Sequence, residues 1–379
     1  MQLSYWEKST YFTSVDVAII GSGIVGLHAA IFLKKNNPSL KILVIERGFI
    51  PYGASTRNAG FACFGSVSEL LDDIENETEE DVFSRVQMRW KGLQGLRKLV
   101  GDDNLHFQLK GGYEIFTKSD IALFEKCEDK IAYLNNRLKD ITREKETFAI
   151  KNQKISSFGL NGIKNLIANK LEGQLDSGKM MLALLQMAQQ AGVLFLNGID
   201  VLKLNSAEKG MEMETDQAFS IQSRKVLVCT NAFANKLLPD ENIKPGRAQV
   251  LVTSPVSKLK INGTFHYLKG YYYFRDVDNR ILLGGGRNLD FEGETTTEFS
   301  TTTGIQNSLE KMLTEIILPD TPFSIEQRWS GIMGLGSSKS PIVKKINDHL
   351  YCAIRMGGMG VAIGNEVGKG VSALITSDL

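Results

Sequence analysis

Val15 to Ile20 reads Val-Asp-Val-Ala-Ile-Ile, an apolar strand run that feeds directly into Gly21-Ser22-Gly23-Ile24-Val25-Gly26. That spacing suits phosphate binding. The first glycine permits a tight turn, the second lets the backbone approach a pyrophosphate, and the third lets the following helix pack close to the strand. A helical stretch and a second strand, Lys41 to Glu46, complete the unit, with Glu46 twenty residues beyond Gly26. A carboxylate there accepts hydrogen bonds from a ribose 2'-hydroxyl, which favours FAD or NAD over NADP. Val15 to Leu33 has the length of a membrane span, but three glycines, Asp16 and His28 inside it argue against that use.

A second set of glycines lies near the C-terminus, in Arg355-Met356-Gly357-Gly358-Met359-Gly360-Val361. Gly360, Gly364 and Gly368 recur every fourth residue and predict a helix with one face free of side chains. Helix packing alone would use such a face. A flavin ring at the helix N-terminus would use it too, because the partial positive charge there stabilises the anionic edge of reduced flavin. Gly357-Gly358 just ahead of the helix favour the flavin, and an NAD-only site would leave this cluster without a role. Tyr271, Tyr273 and Arg275 alternate along a strand pattern and so share a face. They form a candidate substrate wall in which the rings cage a cationic amine and Arg275 binds an anionic group. An ordinary strand with core and surface faces accounts for the same run equally well. Phe61, Cys63 and Phe64 are further pocket candidates, although a small buried hydrophobe is the commoner fate of a free cysteine.

The elements that must position these residues follow from the rest of the chain. Its 379 residues suggest two domains rather than one. Helical and strand-like pieces alternate from Leu105 to Lys170. A helix from Met180 to Gln190, a strand from Val193 to Leu196 and another at Val226 to Cys229 read as a return to the nucleotide unit. Gly246 to Arg328 is strand-rich, with one helix near Ile305 to Ile317. The expected fold is α/β. A Rossmann-like FAD-binding domain over 1–104, 173–243 and 330–379 interleaves with a smaller α+β substrate domain over 105–172 and 244–329, built on a mainly antiparallel sheet. Gly173 to Lys179 has Walker A spacing, but Met180 replaces the magnesium-holding hydroxyl and Ser177 reads as a helix cap.

The 44 basic and 43 acidic residues leave a net charge of +1, so no nucleic-acid footprint is expected. Asp72 to Asp81 reads as a solvated acidic linker with helix-start charges. No basic segment followed by an apolar one marks a secretory signal near Met1, so a cytoplasmic location is expected. Four cysteines without CxxC spacing, Cys63, Cys127, Cys229 and Cys352, are expected as free thiols. Four scattered histidines, His28, His106, His266 and His349, predict no metal. The expected partner is a small molecule, with no integral membrane segment.

Taken together, these segments resemble the FAD-dependent D-amino-acid oxidase superfamily, which contains glycine oxidase, sarcosine oxidase and gamma-glutamylputrescine oxidase. The carriers are Gly21 to Gly26 with Glu46-Arg47, the Ala54-Ser55-Thr56-Arg57-Asn58-Ala59-Gly60 loop, Cys229 to Ala234, Ile281 to Gly286, and Arg355 to Val361. The resemblance implies that Glu46 holds the adenosine ribose, that Thr56, Arg57 and Asn58 line the pyrophosphate and flavin edge with Ser55, Ala59, Gly60 and Phe61, and that Val201 meets the adenine. Thr230 and Asn231 would border the adenine end. Arg355, Met356, Gly357, Gly358, Met359, Gly360 and Val361 would border the isoalloxazine, and Trp329 and Gly331 of the Trp-x-Gly element count among the cofactor-binding residues.

The chain departs from the family at several places. Carboxylate-binding members usually carry an arginine just after Trp-x-Gly, and Trp329 to Gly336 has none, which weakens the case for a free alpha-carboxylate. A lysine associated with oxygen activation in sarcosine-oxidase-like members is replaced by Leu282-Leu283-Gly284, so oxygen need not be the preferred oxidant. Asn58 and the cysteine-free run Ile332 to Ser340 stand where relatives tether flavin, which implies non-covalent FAD. Met359 replaces a histidine of several relatives, and no residue qualifies as a general base. The expected function is FAD-dependent oxidation of a C–N bond in a small amine or amino-acid derivative by hydride transfer to flavin N5. A 2-hydroxy-acid dehydrogenase and a non-catalytic FAD-binding protein are the alternatives, and the electron acceptor, oxygen or a quinone or carrier, stays open.

Overall fold

In the computed structural model, which describes residues 2–217 and 219–379, the apolar run Val15–Ile20 is a central strand buried everywhere except at half-buried Asp16. Burial on both faces is what a parallel strand between helical layers requires. Ser220–Val228 and Ile42–Glu46 flank it in parallel, and Leu350–Ile354 and Leu194–Asn197 extend the parallel array on either side. Ile342–Lys345 and the Val201–Ala207 and Gly210–Thr215 pair add antiparallel strands. The outcome is an eight-stranded sheet of Rossmann character.

A second eight-stranded sheet carries Tyr273. Its order is Ile325–Leu335, Lys244–Thr253, Arg280–Gly285, Tyr272–Val277, Thr264–Tyr267, Gly112–Thr117, Ile163–Asn169 and Phe148–Ile150. Only the Thr264–Tyr267 to Gly112–Thr117 pair is parallel. The mainly antiparallel sheet is therefore present, and its strands come from both sides of the second nucleotide segment in sequence. Ile325–Leu335 is one continuous strand, so a division placed at 330 falls inside it.

The glycine face of the C-terminal helix, Gly360–Thr376, packs on the helix Ile24–Asn36 that follows the first glycine turn. A Cβ at Gly368 would stand 2.4 Å from the His28 Cβ, and one at Gly364 would stand 3.0 Å from Ile24. The face thus serves helix packing at Gly364 and Gly368, and only its first member, Gly360, reaches the cavity described below. His28, pressed between these helices, gives its Nδ1 a 2.7 Å contact with the Ile24 carbonyl. Burial lowers its pKa to about 4, so the ring stays neutral.

The acidic run is not a linker. Asp72 to Asn76 end the helix Val67–Asn76, and Glu79 to Asp81 open the helix Glu79–Val100, where negative charge complements the N-terminus. Asp73 is buried and pairs with Arg85 and Lys339. Ser177 is also corrected: Asp176 caps the helix Ser177–Gln190 through its side chain, while the Ser177 hydroxyl bonds Asn58 Oδ1 at 2.7 Å. Among the described residues, no helix is long and apolar enough to cross a membrane.

Candidate functional site

The two sheets meet at a cavity of about 440 Å³. Its nucleotide end is built from the first strand-turn-helix unit. Gly21 adopts φ +103°, and a Cβ at Gly26 would stand 2.1 Å from the Gly21 carbonyl oxygen, so neither position accepts a larger residue without backbone movement. Glu46 is buried, and its carboxylate accepts hydrogen bonds from Ser22 N–H and Oγ–H and from Gly48 N–H. Ser22 and Gly26 shape this turn without lining the cavity, whereas Gly21, Gly23, Ile24, Val25, Glu46 and Arg47 line it.

Two helices open onto this one cavity. Neither Ile24–Asn36 nor Gly360–Thr376 has a side-chain cap from its own N-cap residue, and Gly23, Ile24, Met359 and Gly360 all line the wall. Ser55 Oγ takes the Ile24 N–H, and the remaining first-turn N–H groups and partial positive charges of the two helices suit a diphosphate and the anionic edge of a flavin. Thr230 offers a buried hydroxyl without a partner among the described residues, beside Asn231 and Val201. These features fit a dinucleotide cofactor. Sequence reasoning missed Phe233, whose ring carries the Arg47 guanidinium at 3.9 Å, and Tyr52, whose ring carries that of Arg57 at 4.3 Å.

The early loop is held from several sides. Ser55 Oγ accepts from Ile24 N–H at 2.9 Å, Asn58 bonds the Ala54 and Ser55 carbonyls, and Arg57 donates to the Ser330 carbonyl. Ser55, Arg57, Asn58, Ala59, Gly60 and Phe61 line the cavity. Three expected contacts turn away. Thr56 donates to the Pro51 carbonyl, Trp329 Nε1 donates to the Arg57 carbonyl, and Arg355, at φ +62°, donates to the carbonyls of Ser340 and Asn242. They brace the cavity wall from behind. Gly331, Met356, Gly357, Gly358 and Val361 line it.

At the other end stand Phe61, Cys63, Glu69, His266, Tyr271, Tyr273 and Arg287. Tyr273 pairs across the sheet with Gly284, and its ring occupies the space a Cβ there would need, 2.6 Å away. The Leu282-Leu283-Gly284 run therefore seats this ring. Burial pushes the Tyr273 phenol up to about 12. Tyr271 lies just before the strand and meets Phe291 edge-on. Arg275 is corrected: although it shares the face of Tyr273, its buried guanidinium donates to the carbonyls of Ala59 at 2.5 Å and Leu175 at 3.1 Å, outside the cavity. It ties the early loop to the start of the Ser177–Gln190 helix. Burial lowers its pKa to about 10, against the pull of Asp276.

At the substrate end the guanidinium that lines the cavity is Arg287, which follows Gly286 just past the Arg280–Gly285 strand. Its Nε is buried without a hydrogen-bond partner among the described residues, and burial lowers its pKa. The signal for it was its position directly after Gly284-Gly285-Gly286. His266, one of four histidines scattered in the sequence, meets Phe61 edge-on and contacts Glu172 Oε1 at 2.5 Å. Burial opposes its charge, but Glu172, with Glu69 and Glu114, raises its pKa to about 9. Ligand atoms of Cys63, Glu172 and His266 lie within 4.8 Å of one another. The His266 and Thr264 hydrogen bonds already occupy Glu172 Oε1, and burial with nearby Glu172 pushes the Cys63 thiol well up, so the cluster reads as an ion pair beside a neutral thiol.

The profile of the FAD dependent oxidoreductase (DAO) family matches residues 16–374. Gamma-glutamylputrescine oxidoreductase of Escherichia coli is 24% identical, with 96% of this chain and 84% of that protein covered. The probable oxidoreductase OrdL of Haemophilus influenzae is 21% identical, over 97% of this chain and 84% of its own. Among solved structures, glycine oxidase from Geobacillus kaustophilus superposes with a TM-score of 0.74 at 19% identity, covering 96% of this chain and 94% of that one. L-proline dehydrogenase from P. horikoshii gives the same TM-score, identity and coverage, and both likenesses are of fold. With the family profile spanning nearly the whole chain, over a fold whose cavity fits a dinucleotide, the protein belongs to the FAD-dependent oxidoreductase (DAO) family.

Proposed function

We propose that the protein oxidises a C–N bond of a small amine or amino-acid derivative. The observation that carries this reading is the aromatic chamber of Phe61, Tyr271 and Tyr273, continuous with the dinucleotide end of one cavity. FAD, when bound, accepts the hydride. The chain supplies position: Tyr273, seated by Gly284, and Phe61 hold the substrate's C–H bond in one orientation. Arg287 takes the role first assigned to Arg275 and binds an anionic substrate group. The resulting imine hydrolyses to a carbonyl compound and an amine or ammonia.

Glu46 would hold the ribose, the two open helix N-termini the diphosphate and flavin edge, and Asn58, which has no reactive atom to offer, leaves the FAD non-covalent. All four cysteines are free and buried, which supports a reducing, cytoplasmic setting. The names of the curated relatives and structural neighbours, among them an iminodiacetate oxidase, support amines and amino acids as the substrate class. Product analysis tests the reading. Incubation with an amine and amino-acid panel should release a carbonyl product in step with amine loss, and products formed only from 2-hydroxy acids would replace amine oxidation with alcohol oxidation.

A further inference from the structure

Glu69 is a charged group at the substrate end that the reaction as described leaves unused. It occupies the first turn of the helix Val67–Asn76, where Ser66 and Glu69 form a reciprocal capping box. Its Oε2 accepts from Ser66 N–H at 2.9 Å and stands 3.9 Å from His266 Nδ1. Its Oε1 accepts no hydrogen bond from the described residues and lies against Gly270, where a Cβ would be 2.5 Å away. One oxygen is therefore fixed by the helix start, and the other lies against Gly270, which lines the cavity together with Glu69 and Tyr271. The nearest cation, His266, is engaged by Glu172 at 2.5 Å and leaves the outer oxygen free. Arg287 enters beyond the same turn, because Gly286 N–H bonds the Tyr271 carbonyl. A carboxylate and a guanidinium thus flank one aromatic turn.

We propose that Glu69 is the docking carboxylate for a cationic amine group of the substrate, so that the cavity prefers ammonium-bearing molecules over neutral or anionic ones of the same shape. An ammonium there donates a charge-assisted hydrogen bond to the free oxygen and meets the faces of nearby rings. The inference rests on the proposed amine chemistry for its ligand class and concerns binding, since an amine must lose a proton before its C–H bond is oxidised.

Matched probes test it: n-butylammonium, 1-butanol and butyrate, titrated into the oxidised holoenzyme by calorimetry. The wild type should bind the cation most tightly. Glu69→Gln preserves the capping box, because glutamine serves equally at that position. It should erase about tenfold or more of the cation's advantage while leaving 1-butanol unchanged, the size expected for a hydrogen bond to a charged group. Glu69→Asp, which keeps the charge, should retain part of the preference. Persistence of the preference in Glu69→Gln would overturn the proposal, as would a wild type that shows none, including one that binds none of the probes. Amine binding without flavin bleaching would contradict the proposed reaction and leave the docking role standing; bleaching with unaltered selectivity in Glu69→Gln would do the reverse.

Discussion

At the scale of single residues, Arg275 and Arg287 show what alternation along a strand can and cannot reveal. Tyr273 and Arg275 do share a face, but that face runs under two neighbours: the cavity at Tyr273 and the Ala59–Gly60 loop with Leu175 at Arg275. Arg275→Met should therefore strip buried carbonyls of their donor and cost about 3 kcal/mol or more, seen as a lower Tm and weaker FAD retention with the substrate KM unchanged. Arg287→Met should do the opposite, raising KM for an anionic substrate about tenfold or more with little change in Tm. His266 adds a pH signature. Its pKa of about 9 lies above the ordinary 6.5, so its stabilising charge is fully present below 6.5 and is lost as pH rises through 9. Denaturant unfolding should show stability falling across that window by at most about 1.4 kcal/mol per pH unit, and His266→Gln should remove that slope. Glu69 could not be read from sequence as a site residue, because Ser66 and Glu69 already explain each other as a helix start. Its place in the cavity depends on Gly270, two hundred residues away in the chain.

At the scale of elements, the strand-turn-helix-strand unit was legible because every part of it is local: apolar run, glycine spacing, helix and acid lie within Val15 to Glu46. The second sheet was legible as strands but not in its order, which joins segments far apart in sequence, such as Thr264–Tyr267 beside Gly112–Thr117. The C-terminal glycines were legible as a close-packing face, while the division of that face between a helix partner and the cavity was not, because periodicity says nothing about what lies opposite. Gly368→Ala tests the division. Its Cβ would meet His28 at 2.4 Å, so the variant should lose about 1–3 kcal/mol by overpacking, measured by thermal unfolding, while Kd for a substrate analogue in the folded fraction stays constant.

At the scale of the molecule, the chain crosses between its two sheets more than once, so the cavity is lined by residues from Ile20 to Ala362 and forms only when both sheets are in place. Acid precipitation should release all flavin into the supernatant, and flavin left in the pellet would refute the non-covalent assignment. An anaerobic absorption spectrum of the purified protein tests most directly whether an FAD held in this cavity takes electrons from a C–N bond. Flavin bands should be present and should bleach when pooled amines and amino acids are added. Bands that bleach only with hydroxy acids, or stay oxidised with every pool, would contradict amine oxidation, and a protein without flavin bands that added FAD fails to restore would contradict the account at its root.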